Sequence, residues 1–243
     1  MRDDLEELRR QARSLLDIAA PRDALAVYYA LHHDPARTQL FIEGSADRPE
    51  ALLSVCQTGW DLFQPIVSLR ALNLDAAEAV LKRGLQPNRP YYLTTTPELH
   101  RPAEAAMKVE QVTVSRIYLL DMSLYSPDIN VLVMPLKSED GATRFVIRSG
   151  GEVAAESGVN WQSPHFAELY AWTAPMARGR GWGKAVVETC VAWLMRSGVQ
   201  PIYIVSEDND RSIRLAESVG FVDTGAREFG LKGIALDTGA DGP

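Results

Sequence analysis

Cysteine is scarce in this chain. There are two, Cys56 and Cys190, each set among apolar neighbours. Two buried, reduced thiols fit that setting, and a scaffold stapled by several disulfides is excluded. No Cys/His spacing of a zinc site occurs, so no metal is expected. Basic residues are also outnumbered, 25 Lys+Arg against 32 Asp+Glu, for a formal net charge of −7. A surface that wraps nucleic acid is usually basic, so nucleic acid is set aside as a partner, although a local basic cluster could still hold an anionic ligand. No apolar run approaches the roughly 20 residues that span a bilayer. The start, Met1-Arg2-Asp3-Asp4-Leu5-Glu6-Glu7, lacks the apolar core of a signal peptide. The expectation is a cytoplasmic protein with no membrane partner, a monomer or a homodimer.

What is present suits a globular fold. The chain has 243 residues, 46% hydrophobic and 23% charged, enough for one large domain or two small ones. Helical spacing of Leu5, Leu8, Leu15 and Leu16 predicts a helix over 3–17, and a second covers 23–32. Residues 38–43 and 50–57 read as a hairpin and 65–72 as a strand. A helix over 75–83 stops at Gly84, followed by a strand over 89–95, a helix over 98–107 and a β-rich stretch over 109–120. Residues 121–142, with Ser126-Pro127, Pro135 and the turn Ser138-Glu139-Asp140-Gly141, make the best boundary. They enclose an apolar run, 129–134, expected to be a strand. Beyond it the order is strands 143–148, 151–160 and 166–173, helix 180–197, strand 201–206, helix 209–218, strand 220–228 and a frayed tail from 237. The two halves share a strand–helix–strand order with similar links, Gly84-Leu85-Gln86-Pro87 and Gly198-Val199-Gln200-Pro201.

One segment carries chemistry. After a strand ending near Thr173 and a turn with Pro175 come Gly179, Gly181 and Gly183, directly before a helix starting near Trp182. Glycine inside a helix costs roughly 1 kcal/mol relative to alanine, so this cluster needs a reason. The first turn of a helix has unpaired N–H groups and the positive end of the helix dipole, and removing side chains lets a pyrophosphate approach them. Arg178, Arg180 and Lys184 add positive charge in an acidic protein. The spacing is neither Gly-x-x-x-x-Gly-Lys-Ser/Thr nor Gly-x-Gly-x-x-Gly, which excludes a nucleotide P-loop and a dinucleotide fingerprint. A flexible turn with solvated arginines is the bland alternative.

Arg178-x-x-Gly181-x-Gly183, within Pro175-Met176-Ala177-Arg178-Gly179-Arg180-Gly181-Trp182-Gly183, resembles the Arg/Gln-x-x-Gly-x-Gly/Ala motif of the GNAT superfamily of N-acetyltransferases. Asn209-Asp210-Arg211-Ser212-Ile213-Arg214-Leu215 and Val219-Gly220-Phe221 resemble a second family segment, in the right order and at the right separation. The likeness covers roughly residues 125–230. It implies an α+β fold, a mixed and mostly antiparallel twisted sheet flanked by helices, with acetyl-CoA as co-substrate and a small-molecule or peptide amine as acceptor. The amides of Arg178, Gly179, Arg180, Gly181, Trp182, Gly183 and Lys184 would bind the pyrophosphate. The strand end Ala171-Trp172-Thr173 would pair its backbone with the pantetheine arm, and Asn209 and Ser212 would lie beside the cofactor. The domains expected are 1–120, 121–236 with the catalytic machinery, and a flexible tail 237–243. The first lobe is read as a degenerate copy of the second without its own coenzyme A, with Asp75 capping the helix that starts there; an unrelated α+β extension is the alternative.

An ammonium cannot attack a thioester until it loses a proton. Glu168 is the candidate base, because some family members use a glutamate at the equivalent place, and alternation puts Glu168, Tyr170 and Trp172 on one face. Tyr170 and Tyr203 are alternative catalytic groups, and His165 reads as an exposed loop residue. Many members carry a tyrosine that protonates the leaving thiolate where this chain has Ala216. Another group or water would then do so, or catalysis is weak. An N-acyltransferase working by direct attack is the leading reading; an acyl-CoA-binding sensor without turnover is the other.

Overall fold

The computed structural model describes residues 2–59, 63–128, 130–138 and 141–237. The first half opens with helix α1 (Arg2–Ala12) and α2 (Ala24–Val27), the latter widening into a π-type turn, Tyr28–His32. Strands β1 (Thr38–Ser45) and β2 (Arg48–Cys56) form an antiparallel hairpin, and β3 (Ile66–Ala71) joins antiparallel to β2. Helix α3 (Leu74–Gly84) then carries the chain over to β4 (Pro90–Thr95), parallel to β3; parallel neighbours require such a crossover. Helix α4 (His100–Ala105) and strand β5 (Met107–Leu120) follow.

The second half repeats the order. After the short β6 (Met134–Lys137), β7 (Thr143–Ser149), β8 (Glu152–Gln162) and β9 (Phe166–Thr173) form an antiparallel meander. Helix α5 (Trp182–Arg196) crosses to β10 (Gln200–Ser206), parallel to β9, and α6 (Asp210–Val219) leads into β11 (Phe221–Ala235). Three antiparallel strands, helix, parallel strand, helix, strand is thus the plan of both halves.

The chain forms two compact units, Met1–Ser115 with Arg227–Pro243, and Arg116–Ala226. The division falls within β5 and β11, not in 121–142. The first unit has the strand order β1-β2-β3-β4-β11-β5 and the second β11-β5-β10-β9-β8-β7-β6. Each is a mixed, mostly antiparallel sheet flanked by helices. The place beside β4 is taken by β11, from the far end of the chain, which pairs antiparallel with it from Phe229↔Thr95 to Ile234↔Pro90.

Alternation along the strands explains the packing. In the first unit Leu53, Val55, Val67 and Leu69 face α3, whose Ala77, Val80 and Leu81 are buried against them. Leu40, Ile42 and Leu52 point the other way, to Ala12 of α1 and to Ala26 and Val27. On that second face Arg70 is buried with two carboxylates, its Nε 3.0 Å from Asp23 and its Nη2 3.0 Å from Glu228. In the second unit Val187, Cys190, Val191 and Leu194 of α5 and Ile213 and Ala216 of α6 cover Ala167, Leu169, Tyr203 and Val205.

Several local expectations change. The strand expected over 129–134 is a turn: the Asn130 side chain accepts from Leu132 N at 3.0 Å and its carbonyl from Val133 N at 3.1 Å, so β6 begins only at Met134; Ile129 lies outside the described residues. Strand β11 runs past 228 because Gly230 and Gly233 serve close packing within it. A Cβ on Gly233 would stand 2.4 Å from Lys108 O, and one on Gly230 2.6 Å from Tyr92 Oη. Gly84 ends α3 without a left-handed turn; its missing Cβ makes room for Leu53, 2.5 Å from where that atom would sit. Gly198 does adopt a positive φ of 72°, and Gln200 already lies in β10 whereas Gln86 precedes β4. The two Gly-x-Gln-Pro links are therefore not structural equivalents, although the elements around them are. Asp75 does not cap α3: Asn73 does, its side chain accepting from Ala76 N at 2.8 Å. The frayed tail expected from 237 falls almost wholly outside the described residues.

Candidate active site

Strands β9 and β10 pair through Gln200↔Phe166, Pro201↔Ala167 and Ile202↔Glu168, and the parallel ladder stops there. Both strands continue, β9 to Thr173 and β10 to Ser206. Beyond the last rung they part, and their facing peptide groups no longer serve each other.

A cavity of about 380 Å³ lies at this end of the second unit. Ala171, Trp172 and Thr173 of β9 form one wall; Arg178, Gly179, Gly181, Trp182, Gly183 and Lys184 form another, and Asn209 and Ser212 a third. The sequence had pointed to all of these; Leu215, the last residue of the second motif segment, also lines it, as do Ala177 and Arg211, which fall between motif positions. Gly179 and Gly181 hold left-handed φ of 77° and 75° with nothing within 4 Å of where a Cβ would be. Gly183 differs: a Cβ there would stand 2.8 Å from Thr173 Oγ1, so glycine is needed to seat α5 on the end of β9.

The start of α5 has no side-chain cap, Gly181 occupying that place. By contrast Asn209 caps α6, accepting from Ser212 N at 3.1 Å, and Asn73 caps α3. Where the first unit satisfies its crossover helix from within the chain, the second presents bare N–H groups and the positive end of a fifteen-residue helix to the cavity. The flanking cations are partly engaged. Arg178 Nε donates to Thr173 O at 3.4 Å. Lys184 Nζ is 3.4 Å from the buried Glu188. Arg180 is not on the cavity wall; its guanidinium stacks over the Trp182 ring, 5.0 Å from the centroid. The arrangement suits an anion with several oxygens.

Glu168 sits at the last rung of the fork, and it too is off the cavity wall. Strand β8 bulges between Val159 and Trp161 opposite it, and Asn160 and Trp161 hydrogen-bond its carboxyl. Burial outweighs those bonds and pushes the carboxyl up to about 7. The sequence indicated Glu168 but not the bulge that holds it. Tyr170, on the same face, lies over Gly158, where a Cβ would be 2.9 Å from its hydroxyl. Its backbone carbonyl accepts from Ser157 Oγ at 2.7 Å. Ala216 is fully buried in α6. Tyr203, also buried, places its hydroxyl 2.9 Å from Ser212 Oγ. His165 is exposed.

Residues 114–221 match the family model for the acetyltransferase (GNAT) family. That segment belongs to the GNAT acetyltransferases. Solved structures share the fold over most of the chain. One, a protein of the GNAT family from Novosphingobium aromaticivorans, is 22% identical with a TM-score of 0.59, over 76% of this chain and 89% of its own. A GCN5-related N-acetyltransferase-like protein from Streptococcus suis is 13% identical with a TM-score of 0.57, over 89% of this chain and all of its own. A tandem GNAT protein from the clavulanic acid biosynthesis pathway is 14% identical with a TM-score of 0.55, over 94% and 93%. A search of curated proteins gives no match. No helix among the described residues is long and apolar enough to cross a membrane, and none of their His, Cys, Asp and Glu side chains cluster as a metal site would require.

Proposed function

We propose that the chain is an N-acyltransferase that moves an acetyl group from acetyl-CoA to a primary amine by direct attack. The observation that carries this reading is the uncapped, glycine-built start of α5 opening into a cavity walled by the free end of β9. The amides from Arg178 to Lys184 would take the pyrophosphate, with Arg178 and Lys184 adding charge. The unpaired edge of 171–173 would hold the pantetheine arm by backbone hydrogen bonds, directing the acyl group toward the apex of the fork. Glu168 stands there, its carboxyl pushed up to about 7 by burial, in the range that suits a general base working near neutral pH. It would take a proton from the amine directly or through water. Backbone N–H groups of the parted strand would stabilise the oxyanion. The reading includes a cytoplasmic site of action. The first unit would be a degenerate copy that holds no coenzyme A: Asn73 occupies the helix start that a pyrophosphate needs, and Thr95 Oγ1 donates to Leu69 O at 3.1 Å, closing the gap between β3 and β4.

Ala216 favours a second reading, an acyl-CoA sensor without turnover. The two are separated by supplying acetyl-CoA with a panel of amines and amino acids and following free thiol. Amine-dependent thiol release supports transfer. Tight acetyl-CoA binding by calorimetry with no release above the background of hydrolysis would establish the sensor.

A further inference from the structure

We propose that Ser212 and Tyr203 form a proton relay to the leaving thiolate, in the place of the tyrosine that this chain lacks at Ala216. The inference rests on the acyltransferase reading above.

Ser212 and Ala216 are four residues apart on α6 and therefore share one face of it. Ser212 lines the cavity, whereas the fully buried Ala216 offers no proton. The side chains on the cavity wall that carry an O–H are Thr173 and Ser212. The Thr173 hydroxyl is packed against Gly183 at the phosphate end, and Lys184 is paired with Glu188. Ser212 therefore has the free position, in the first turn of α6, and it has a proton source behind it: Tyr203 Oη at 2.9 Å. Tyr203 is 3% exposed, on the first stretch of β10 beyond the last rung of the ladder, with its ring against Phe221. Burial and the Glu168 charge both push its hydroxyl up, so it stays protonated at neutral pH.

The protons balance. The amine nitrogen bonds to the thioester carbon and gives a proton to Glu168. As the tetrahedral intermediate collapses, the C–S bond breaks with its electron pair on sulfur, which takes the Ser212 hydroxyl proton. Ser212 takes the Tyr203 proton. The tyrosinate regains one, through water, from protonated Glu168. The net change is one proton moved from amine to thiol, with both hydroxyls and the carboxylate restored. Because Glu168 and Tyr203 sense each other electrostatically, neutralising Glu168 in the first step makes the second easier.

The test measures thiol release and acetyl-CoA affinity in parallel. Ser212→Ala and Tyr203→Phe should each lower kcat by about tenfold or more, at the low end for an acid acting on a good leaving group, while calorimetric affinity for acetyl-CoA stays at the wild-type value. The double variant should fall no further than the worse single one, since both lie on one path. Ser212→Thr, which keeps a hydroxyl, should recover most of the rate. Full kcat in Ser212→Ala, a loss explained by weakened acetyl-CoA binding, or multiplying effects in the double variant would each overturn the relay. A wild-type protein that binds no acetyl-CoA would overturn the acyltransferase reading and the relay with it, a result distinguishable from those.

Discussion

Burial holds the Glu168 carboxyl near 7 against an ordinary value of 4.5, and this single shift has two consequences. As a base it must be ionised, so kcat should rise with pH through about 7 and level off above. Glu168→Gln should lower kcat by about 10²-fold and remove that rise; a pH–rate series on both proteins checks it. The same shift acts on stability in the opposite sense. A folded value raised above the unfolded one means that the contribution is full below about 4.5 and is lost as pH climbs through about 7. Glu168→Gln should therefore gain stability relative to wild type between pH 4 and pH 8, as chemical denaturation at the two values would show. At this scale much was legible. The alternation that puts Glu168 and Tyr170 on one face, and the glycines at 179, 181 and 183, were visible as spacing. What spacing could not show was the reason for each glycine: Gly181 for its left-handed φ, Gly183 for Thr173. Nor could it show the Asn160 bulge, since a bulge is an irregularity in a pairing and has no period.

Helix α5 and helix α3 are corresponding elements with opposite starts. One begins on a glycine and exposes its N–H groups; the other begins on Asn73, which uses them. If the α5 start is an anion site, added negative charge there should be costly. Gly181→Asp should weaken acetyl-CoA affinity by about tenfold or more relative to Gly181→Asn, from the lost and reversed charge interaction. Asparagine carries the same backbone strain at φ 75° without the charge, so the comparison by calorimetry isolates electrostatics. Equal affinities would remove the anion from this helix. Helices and strands with strong periodicity, such as α3 and β9, were readable to within a residue or two. The elements misjudged were those where polar side chains or glycines act locally: Asn130 converts an apolar run into a turn, and Gly230 and Gly233 sit inside a strand they would ordinarily interrupt.

On the scale of the whole molecule, the shared order of elements was readable as a repeat, but the exchange of strands was not, because nothing local records which distant edge a strand will join. Residues 227–235 of β11 belong to the first unit, where Phe229, Leu231 and Ala235 enter its core and Glu228 pairs with the buried Arg70. Cutting the chain after residue 226 removes those apolar groups and leaves Arg70 with Asp23 alone; losing one partner of a buried ion cluster costs about 3–5 kcal/mol by itself. The truncated chain should show no cooperative thermal transition for the first unit by circular dichroism. A normal melt would mean that β11 is dispensable there.

The same strand sets an order of events during synthesis. Nearly everything in the first unit leaves the ribosome before the second unit does, but the strand that pairs with β4 emerges only after Arg116–Ala226. Until then β4 presents an unpaired edge, the feature that invites association with other chains. The first unit must therefore wait for residues 227–235, and it is completed only once the second has been made.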